Sequence, residues 1–400
     1  MRAETTRHGI AYRPEIDGVR AVAVLGVILC HAGFTWIPGG FLGVDLFFAV
    51  SGYLITAIIR ADLAHGSFSI ARFYERRIRR IVPALMLMLL LTIPPALWLL
   101  LPDDLQNFGE SLVATSLFAN NMLLLATTAY WGIDVQFKPL MHTWSLAVEE
   151  QYYLVAPLLM ALAWRVARGR GVAIGIGAAT ILSFLACLFL ERRLPMVDFF
   201  LIVPRGWEIG AGSLAALLEP RLRPLAGPRA AAMLALAGLA MAVVPLFTTA
   251  VGTPPGARTL IPVGGICLVL LFGGARDPAG RLLGWRPMTW IGLVSYSAYL
   301  YHQPAFAYLR LMSLDQPGAW AHAALIPPVF AVAWLSWRFV EQPFRDRRRI
   351  ATHTLLRVSG AGTAAVGRDR PDPLCERRLL SELARVRRSG PRRPRRHDRL

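Results

Sequence analysis

The chain has 400 residues, of which 55% are hydrophobic and 17% are charged, and its formal net charge is +18. This apolar fraction, with a mean hydropathy of +0.46, excludes an ordinary soluble domain. The arginines lie between apolar runs and in the last fifty residues, which favours a membrane protein with a basic face over a nucleic-acid-binding protein.

The apolar runs are continuous and rich in Leu and Ala, whereas the strands of a membrane barrel alternate in polarity. The sequence therefore predicts an all-α, polytopic membrane protein. Residues 1–15 form a polar N-terminal segment, with no small-residue cleavage site after the first apolar run. Ten spans are predicted: 16–35, 41–60, 81–101, 143–164, 172–190, 199–218, 230–248, 258–275, 289–309 and 322–340.

The segment 105–126 is an ambiguous eleventh span, because it contains Gln106, Asn107, Glu110, Asn120 and Asn121. With ten spans, 18 arginines before the tail fall on the side of the N-terminus, against six basic residues on the other side. An eleventh span would destroy this asymmetry. We therefore expect 102–142 to be one outer loop with a short helix that lies on or dips into the membrane, and both termini to be cytoplasmic.

The membrane domain is expected to cover 16–345, and the basic, proline-broken segment 346–400 is expected to be a disordered cytoplasmic tail. The four cysteines are scattered and three lie in apolar runs, so they indicate neither a disulfide framework nor a metal site. No internal repeat of the kind found in transporters is evident.

Ionisable side chains inside spans are costly and usually face the interior of a bundle. In the first span, "GVRAVAVLGVILCHAG", His31 follows Arg20 by eleven residues, or about 16 Å along a helix, and both point roughly the same way. Asp45, near the start of the second span, lies at the same depth as His31. Glu149, in the fourth span, lies one to two turns below the outer mouth, where His142 is found.

Three further features complete the pattern. Arg205 and Glu208 are i,i+3 neighbours that can pair in the sixth span. His302 lies in the outer half of the ninth. A cluster of arginines precedes the third span at the inner surface, in "FYERRIRRIVP": Arg76, Arg77, Arg79 and Arg80. The outer half thus gathers imidazoles and carboxylates, and the inner surface gathers guanidinium groups.

Each of these features also has a purely structural interpretation. Arginines at inner span ends set topology, and Arg205 with Glu208 is more often a structural pair. A lone histidine at a helix end is usually solvated, which applies to His142 and His302. The alternatives left open are a proton-coupled transporter, in which the same groups relay protons, and a non-catalytic scaffold, in which they only pair.

Six segments, in this order, carry a resemblance to a known family: "EIDGVRAVAVLGVILCHAGF", "GGFLGVDLFFAVSGYLIT", "FYERRIRRIVPAL", "HTWSLAVEEQYYL", "SYSAYLYHQP" and "FVEQPF". Over about residues 13–345 the sequence resembles the acyltransferase 3 family, integral membrane O-acyltransferases that modify surface polysaccharides, Nod factors, peptidoglycan and some macrolides. The family's basic residue followed by ten residues and a histidine falls on Arg20 and His31.

The resemblance implies an O-acyltransferase of the cytoplasmic membrane that uses acyl-CoA, most simply acetyl-CoA, as a donor substrate, with no tightly bound cofactor and no metal. Its acceptor would be a cell-surface carbohydrate or lipid-linked glycan, with a macrolide as the alternative, and its other partner is the lipid bilayer. We assign catalytic roles to His31, Asp45 and Glu149, donor binding to Arg20, Arg76, Arg77 and Arg80, and acceptor binding to His142, His302, Arg205 and Glu208.

The expected chemistry follows from these residue types. A hydroxyl group that attacks a thioester needs a base, and an imidazole suits this task near neutral pH. A carboxylate on the second ring nitrogen would orient the imidazole, and Asp45 or Glu149 is expected in that position beside His31. The phosphates of the donor need arginines, which the inner face supplies.

Overall fold

A computed structural model of the chain describes residues 12–127, 133–252, 255–313, 315–352 and 355, and all regular secondary structure within these ranges is helical. The helices are α1 (Pro14–His31), α2 (Gly43–Ala64), α3 (Ile70–Leu99), α4 (Pro102–Ser116), α5 (Asn120–Thr127), α6 (Thr143–Leu190), α7 (Pro195–Phe200), α8 (Ile202–Leu222), α9 (Pro228–Thr248), α10 (Leu260–Phe272), α11 (Pro278–Leu283), α12 (Arg286–Met312), α13 (Ala319–Ser336) and α14 (Gln342–Arg345). A π-helical turn, Trp337–Glu341, joins the last two.

Each of the ten predicted spans falls on one of these helices. Five helical segments are long and apolar enough to cross a membrane by length and composition, namely 40–64, 70–99, 143–190, 228–248 and 319–345. The remaining predicted spans lie on helices that are shorter or that carry charged and polar side chains, such as α1 and α8. The protein is therefore a multi-pass helical membrane protein, while the number of ten spans and the cytoplasmic side of the termini stay predictions.

Helix α6 is two helical arms rather than one rod. Its backbone leaves the helical region at Ala167 (φ −140°) and at Arg168, where φ is +46°. Tyr152 of the first arm contacts Ser213 of α8, and the contacts of the second arm run along α8 in the reverse direction, from Thr180 with Gly210 to Ser183 with Val203. The chain thus reverses within two residues, between the two spans predicted at 143–164 and 172–190.

The bundle has two chemically different ends. We call one the arginine end, marked by Arg13, Arg20, Arg77 and Arg80, and the other the histidine end, marked by His31, Asp45, His142 and His302. At the arginine end, Arg13 donates to the Tyr53 hydroxyl (2.6 Å), to Glu219 (3.0 Å) and to the Leu270 carbonyl (2.9 Å). One guanidinium therefore ties the start of α1 to α2, α8 and α10.

Helices α2 and α8 approach closely because glycines face backbone at their contact. A Cβ atom added to Gly52 would lie 1.8 Å from the Ile209 carbonyl oxygen, and one added to Gly212 would lie 1.8 Å from the Ala49 carbonyl oxygen. Small residues permit this distance between membrane helices. The two helices run side by side from the histidine end, which brings Asp45 near the start of α2 against Arg205 near the start of α8.

Helices α4 and α5 form a hairpin that enters and leaves at the histidine end. The turn between them contains Phe118, whose φ is +54°. Its carbonyl accepts a hydrogen bond from Gln151 (3.1 Å), and the buried amides of Asn120 and Asn121 donate to the carbonyls of Leu140 and Phe200 (both 3.0 Å). Non-helical backbone at membrane depth requires such internal partners. The polar residues that made 105–126 a poor span thus support a dipping hairpin within the predicted loop 102–142.

The first residues of the predicted tail are attached to α3. Buried Arg79 donates to the carbonyls of Phe344 (3.0 Å) and Ile350 (2.8 Å) and to the Thr352 hydroxyl (3.2 Å). The segment 346–352 therefore packs on the membrane domain, beyond the boundary predicted at 345. Residues 353, 354 and 356–400 lie outside the described residues, so the predicted disorder of the tail stays a prediction.

Candidate active site

Two cavities lie in line between the ends of the bundle. The first, of about 90 Å³, is lined at the arginine end by three guanidinium groups and further along by carboxylate, hydroxyl and aromatic side chains, including Arg20, Arg77, Arg80, Ser51, Glu149, Tyr153, Ser145 and Tyr299. The second, of about 60 Å³, is lined at the histidine end by His31, Asp45, His142, Trp144, Arg205 and Tyr299. Tyr299 and Val44 line both cavities, so they separate the arginine end from the histidine end.

A chain of hydrogen bonds runs from His31 into α12. Nδ1 of His31 lies 3.1 Å from Nε2 of His302, and Nδ1 of His302 lies 2.7 Å from the carbonyl oxygen of Tyr299. A carbonyl oxygen only accepts, so Nδ1 of His302 carries a proton and Nε2 of neutral His302 accepts from His31. The unprotonated nitrogen of His31 is then Nε2. Such an imidazole is oriented to act as a base.

Arg310 fixes the end of α1 on which His31 lies. Its guanidinium donates to the His31 carbonyl (2.7 Å) and to the Gln136 carbonyl (3.2 Å), and the residue is buried. A cation at the carboxyl end of a helix binds carbonyl groups that have no partner within the helix. Arg310 therefore joins α1, α12 and the segment before α6 around His31. In the sequence, Arg310 is one of the six basic residues counted on the side opposite the N-terminus, and no role at the site is predicted for it.

His142 contributes a third imidazole. Its ring lies edge-on to those of Tyr299 and His302, with centroids 5.4 and 5.5 Å away. Both ring nitrogens are buried and have no hydrogen-bond partner of good geometry in the described part of the chain. The backbone of Leu300 and Pro139 lies close to this ring. Because His142 lines the second cavity, its ring can also meet a ligand bound there.

The hydroxyl of Tyr299 is held at the boundary between the cavities. It donates to the His142 carbonyl (3.0 Å) and lies 2.7 Å from the Ser145 hydroxyl. Because Tyr299 and His302 are one helical turn apart, the same residue also presents its backbone carbonyl to His302. Neither Tyr299 nor Ser145 was singled out in the sequence, although both are polar side chains in the quoted motifs, three residues from His302 and His142 respectively.

The prediction that Asp45 or Glu149 is hydrogen-bonded to the His31 ring is wrong, because the partner of this ring is His302. Asp45 binds Arg205 (3.0 Å), and Arg205 also binds Glu208 (2.7 Å), which confirms the predicted i,i+3 pair. All three side chains are 3% exposed or less. In this low-dielectric site the guanidinium is the stronger attraction for Asp45, and the close contact of α2 with α8 brings the two together. His302 occupies the place beside His31.

Glu149 also lies away from His31, in the first cavity. It accepts from the Ser51 hydroxyl (2.6 Å) and from the Tyr153 hydroxyl. Arg77 lies 3.3 Å from Glu150 and 3.8 Å from Glu149, above the ring of Tyr153. Glu149 and Glu150 therefore share one arginine on the wall of the first cavity, one to two turns deeper than the histidines.

The four arginines assigned to donor binding separate into two groups. Arg20, Arg77 and Arg80 line the first cavity, and Arg345 lies within electrostatic range of Arg80. Arg20 contacts Asp17 (3.3 Å) on its own helix. Arg76 is absent from the described cavity lining and pairs with Asp62 of α2 (2.9 Å). Arg345 pairs with Glu341 (2.7 Å), so the guanidinium groups that line the arginine end of the first cavity are those of Arg20, Arg77 and Arg80, without Arg76.

Comparison with known proteins identifies the family of this chain. A family profile described as "Acyltransferase domain" matches residues 13–338. The chain belongs to the acyltransferase 3 family. The matched range contains both cavities and all the candidate residues named above. These findings support the prediction of an O-acyltransferase.

Three relatives show what this acyltransferase 3 chain is similar to. It is 30% identical to the peptidoglycan O-acetyltransferase OatA of Listeria monocytogenes, over 85% of this chain and 57% of that protein. It is 30% identical to the putative peptidoglycan O-acetyltransferase YrhL of Bacillus subtilis, over 89% of this chain and 59% of that protein. The putative membrane-bound transacylase BcsY of Komagataeibacter xylinus is 29% identical, over 88% of this chain and 90% of its own length.

The chain therefore spans less than two thirds of the length of the first two relatives. No solved structure matches this acyltransferase 3 chain.

Proposed function

We propose that this protein transfers an acyl group, most simply acetyl, from acyl-CoA to a hydroxyl of a cell-surface carbohydrate, and that His31 is the general base. The observation that carries the proposal is the hydrogen-bonded chain from His31 through His302 to the Tyr299 carbonyl, beside a cavity in line with an arginine-lined one. The donor would bind at the arginine end, which we place in the cytoplasm, and the acceptor at the histidine end.

In the proposed reaction His31 acts first as a base towards the acceptor hydroxyl and then as an acid towards the leaving thiolate. As the acceptor oxygen bonds to the thioester carbonyl carbon, Nε2 of His31 removes the hydroxyl proton. When the carbon–sulfur bond breaks, the imidazolium returns this proton to the departing thiolate. Nε2 of His302 accepts from Nδ1 of His31 both before and after this proton transfer, so the imidazolium keeps its partner. His302 keeps the ring oriented throughout.

The donor site is supported by charge. Phosphate groups form strong, charge-assisted hydrogen bonds with guanidinium groups, and Arg20, Arg77 and Arg80 line one end of the first cavity. Arg20 and His31 lie on one helix, eleven residues apart, so about 16 Å separates the phosphate end from the base. The extended arm of the donor would cover this distance, with its thioester at Tyr299.

The acceptor site is supported by its polar lining. Sugar hydroxyls donate to carboxylates and accept from guanidinium and imidazole groups. His142 and Asp45 line the second cavity. OatA and YrhL are named for peptidoglycan, so a peptidoglycan or related glycan of the cell surface is the proposed acceptor.

The test is transfer from radiolabelled acetyl-CoA to peptidoglycan fragments by purified protein in lipid nanodiscs. His31→Ala should lower turnover by about 10²–10⁴-fold, the usual contribution of a positioned base. His65→Ala is the matched control, since His65 is exposed at the arginine end, where Nδ1 of its ring lies 2.7 Å from the Ala61 carbonyl oxygen of its own helix. Full turnover by His31→Ala would refute the proposed base. Proton flux across vesicles without acyl transfer by wild-type protein would instead favour the transporter alternative.

A further inference from the structure

A third cavity lies outside the two that contain the proposed reaction. It has a volume of about 280 Å³ and lies between α3 and the first arm of α6, with the turn between α4 and α5 beside it. Its lining is mostly apolar and includes Ile78, Val82, Leu117, Phe118 and Leu154. Three residues, Arg77, Ile81 and Tyr153, line both this cavity and the first one, so a single wall separates them.

The cavity exists because long polar side chains, rather than interlocking apolar ones, bridge α3 and α6. The Tyr74 hydroxyl donates to the Leu154 carbonyl (2.7 Å), and Arg77 reaches Glu150 (3.3 Å). Gln151 donates to the Phe118 carbonyl (3.1 Å), which holds the turn of the α4–α5 hairpin against α6. These contacts hold the helices apart and leave a space between them.

This space opens sideways. Leu117 and Leu154, which line it, are 62% and 60% exposed. The carbonyl of Leu154 is bonded to Tyr74, near the start of α3, so the opening lies towards the arginine end of the bundle. Ile78 and Leu154 lie on helical segments that are long and apolar enough to cross a membrane, so lipid chains are the medium that meets the exposed leucines.

Apart from Nε of Arg77, the polar groups of the lining are already engaged. Tyr74, Glu150, Gln151 and Tyr153 each make a hydrogen bond within the protein, which leaves little for a polar ligand to bind. An empty apolar cavity loses the dispersion contacts of its lining atoms. A hydrocarbon chain restores these contacts without breaking a hydrogen bond.

We propose that this cavity is a binding site for one acyl chain of a bilayer phospholipid, which inserts sideways between α3 and α6. The chain would pack on Ile78, Val82 and Leu154 and support the wall that contains Arg77 and Tyr153. The site is separate from the proposed reaction, so it stands or falls independently of the acyltransferase mechanism.

The experiment uses the full chain in nanodiscs made with phosphatidylglycerol that carries a photoreactive diazirine in the middle of one acyl chain. After illumination, mass spectrometry of peptides locates the labelled residues. We expect labelling at Ile78, Val82 and Leu154 to exceed that at Leu158 and Leu162, which are also exposed on α6 but are not part of the described cavity lining, by at least fivefold.

Two substitutions on the same helix sharpen the test. Leu154→Trp should fill the cavity and reduce labelling of Ile78 and Val82 at least fivefold, whereas Leu158→Trp should leave it unchanged. Val82→Trp is a second filling variant on α3, and each variant is used only if it elutes as a single species. Equal labelling around the whole lipid-facing surface would overturn the proposal, as would undiminished labelling in both filling variants or labelling only by a polyprenyl-phosphate probe.

Discussion

The imidazoles of His31 and His302 are hydrogen-bonded to each other, 271 residues apart in the chain, with Nδ1 and Nε2 3.1 Å apart and the ring centroids 5.3 Å apart. His302 is completely buried and is anchored in turn by the Tyr299 carbonyl. A neutral imidazole therefore takes the place that a carboxylate has in many base–partner pairs. This arrangement frees Nε2 of His31 without placing a negative charge beside it.

His302→Ala should lower turnover by about 10- to 100-fold, less than the 10²–10⁴-fold expected for loss of the base itself. The reason is that His31 remains but loses the group that orients it. KM for the donor should stay unchanged, because His302 is not part of the described lining of the arginine-lined cavity. Steady-state kinetics with His65→Ala as control measure both constants. A rise in the KM for the donor, with kcat unchanged, would show that His302 binds substrate instead of orienting His31.

Arg20→Ala and Arg80→Ala should each weaken acetyl-CoA binding by about 10- to 100-fold, since a hydrogen bond to a charged group contributes about 1.5–3 kcal/mol. Arg20→Lys should restore only part of the affinity, because an ammonium lacks the planar fork of the guanidinium. Arg76→Ala is the matched control, as Arg76 pairs with Asp62. Calorimetric titration of protein in nanodiscs measures the affinity for acetyl-CoA. If Arg76→Ala lost as much affinity as Arg20→Ala, the arginines of the cavity lining would not form a distinct donor site.

The helices could be predicted because hydropathy is read along the chain, whereas the side of the termini that the arginine asymmetry indicates stays a prediction. The ten apolar runs all became helices, and the polar residues at Asn120 and Asn121 correctly indicated a segment that is not an ordinary span. The reversal of α6 at Ala167 and Arg168 was predicted only as a loop between two spans.

The pairing of side chains could not be predicted in the same way. Counting residues gives the depth of a side chain in the membrane, but not the direction in which its helix is rotated or which helices are neighbours. Asp45 and His31 lie at the same depth and line the same cavity, yet Asp45 faces Arg205. The partner that His31 has, His302, had been assigned to the acceptor because only its depth was known.

Arg205→Ala should destabilise the protein more than Asp45→Asn. Removal of the arginine leaves Asp45 and Glu208 buried without a counter-charge, and breaking a buried pair in this way costs about 3–5 kcal/mol. Asp45→Asn leaves Arg205 with Glu208, a balanced pair. Thermal unfolding in detergent should therefore show a large fall in Tm for Arg205→Ala and a small one for Asp45→Asn. Arg192→Ala is the control and should leave Tm unchanged, because this arginine is exposed. A larger fall in Tm for Asp45→Asn than for Arg205→Ala would contradict this interpretation.

Tyr299→Ala should join the two cavities, so that the donor thioester is hydrolysed by water without transfer to an acceptor. Without the ring, water at the histidine end reaches the thioester, so CoA release in the absence of acceptor should rise about tenfold or more, consistent with the usual contribution of a positioned base acting on water. Tyr299→Phe keeps the ring and loses only the hydroxyl contacts with Ser145 and His142, so coupling should largely remain. Thiol release with and without acceptor measures this. Tight coupling in both variants would show that Tyr299 is not the barrier.

The boundary of the dispensable tail should lie after residue 355. Leu355 is buried, and Ile350 and Thr352 bind Arg79, whose side chain is 2% exposed. Truncation after residue 345 removes two hydrogen bonds to this charged group and should lower stability by about 1–3 kcal/mol. Truncation after residue 355 keeps them and should leave activity and membrane level unchanged. Thr352→Val in the full chain isolates one contact and should show a smaller loss. Equal Tm values for the two truncated chains would mean that 346–355 contributes nothing to the membrane domain.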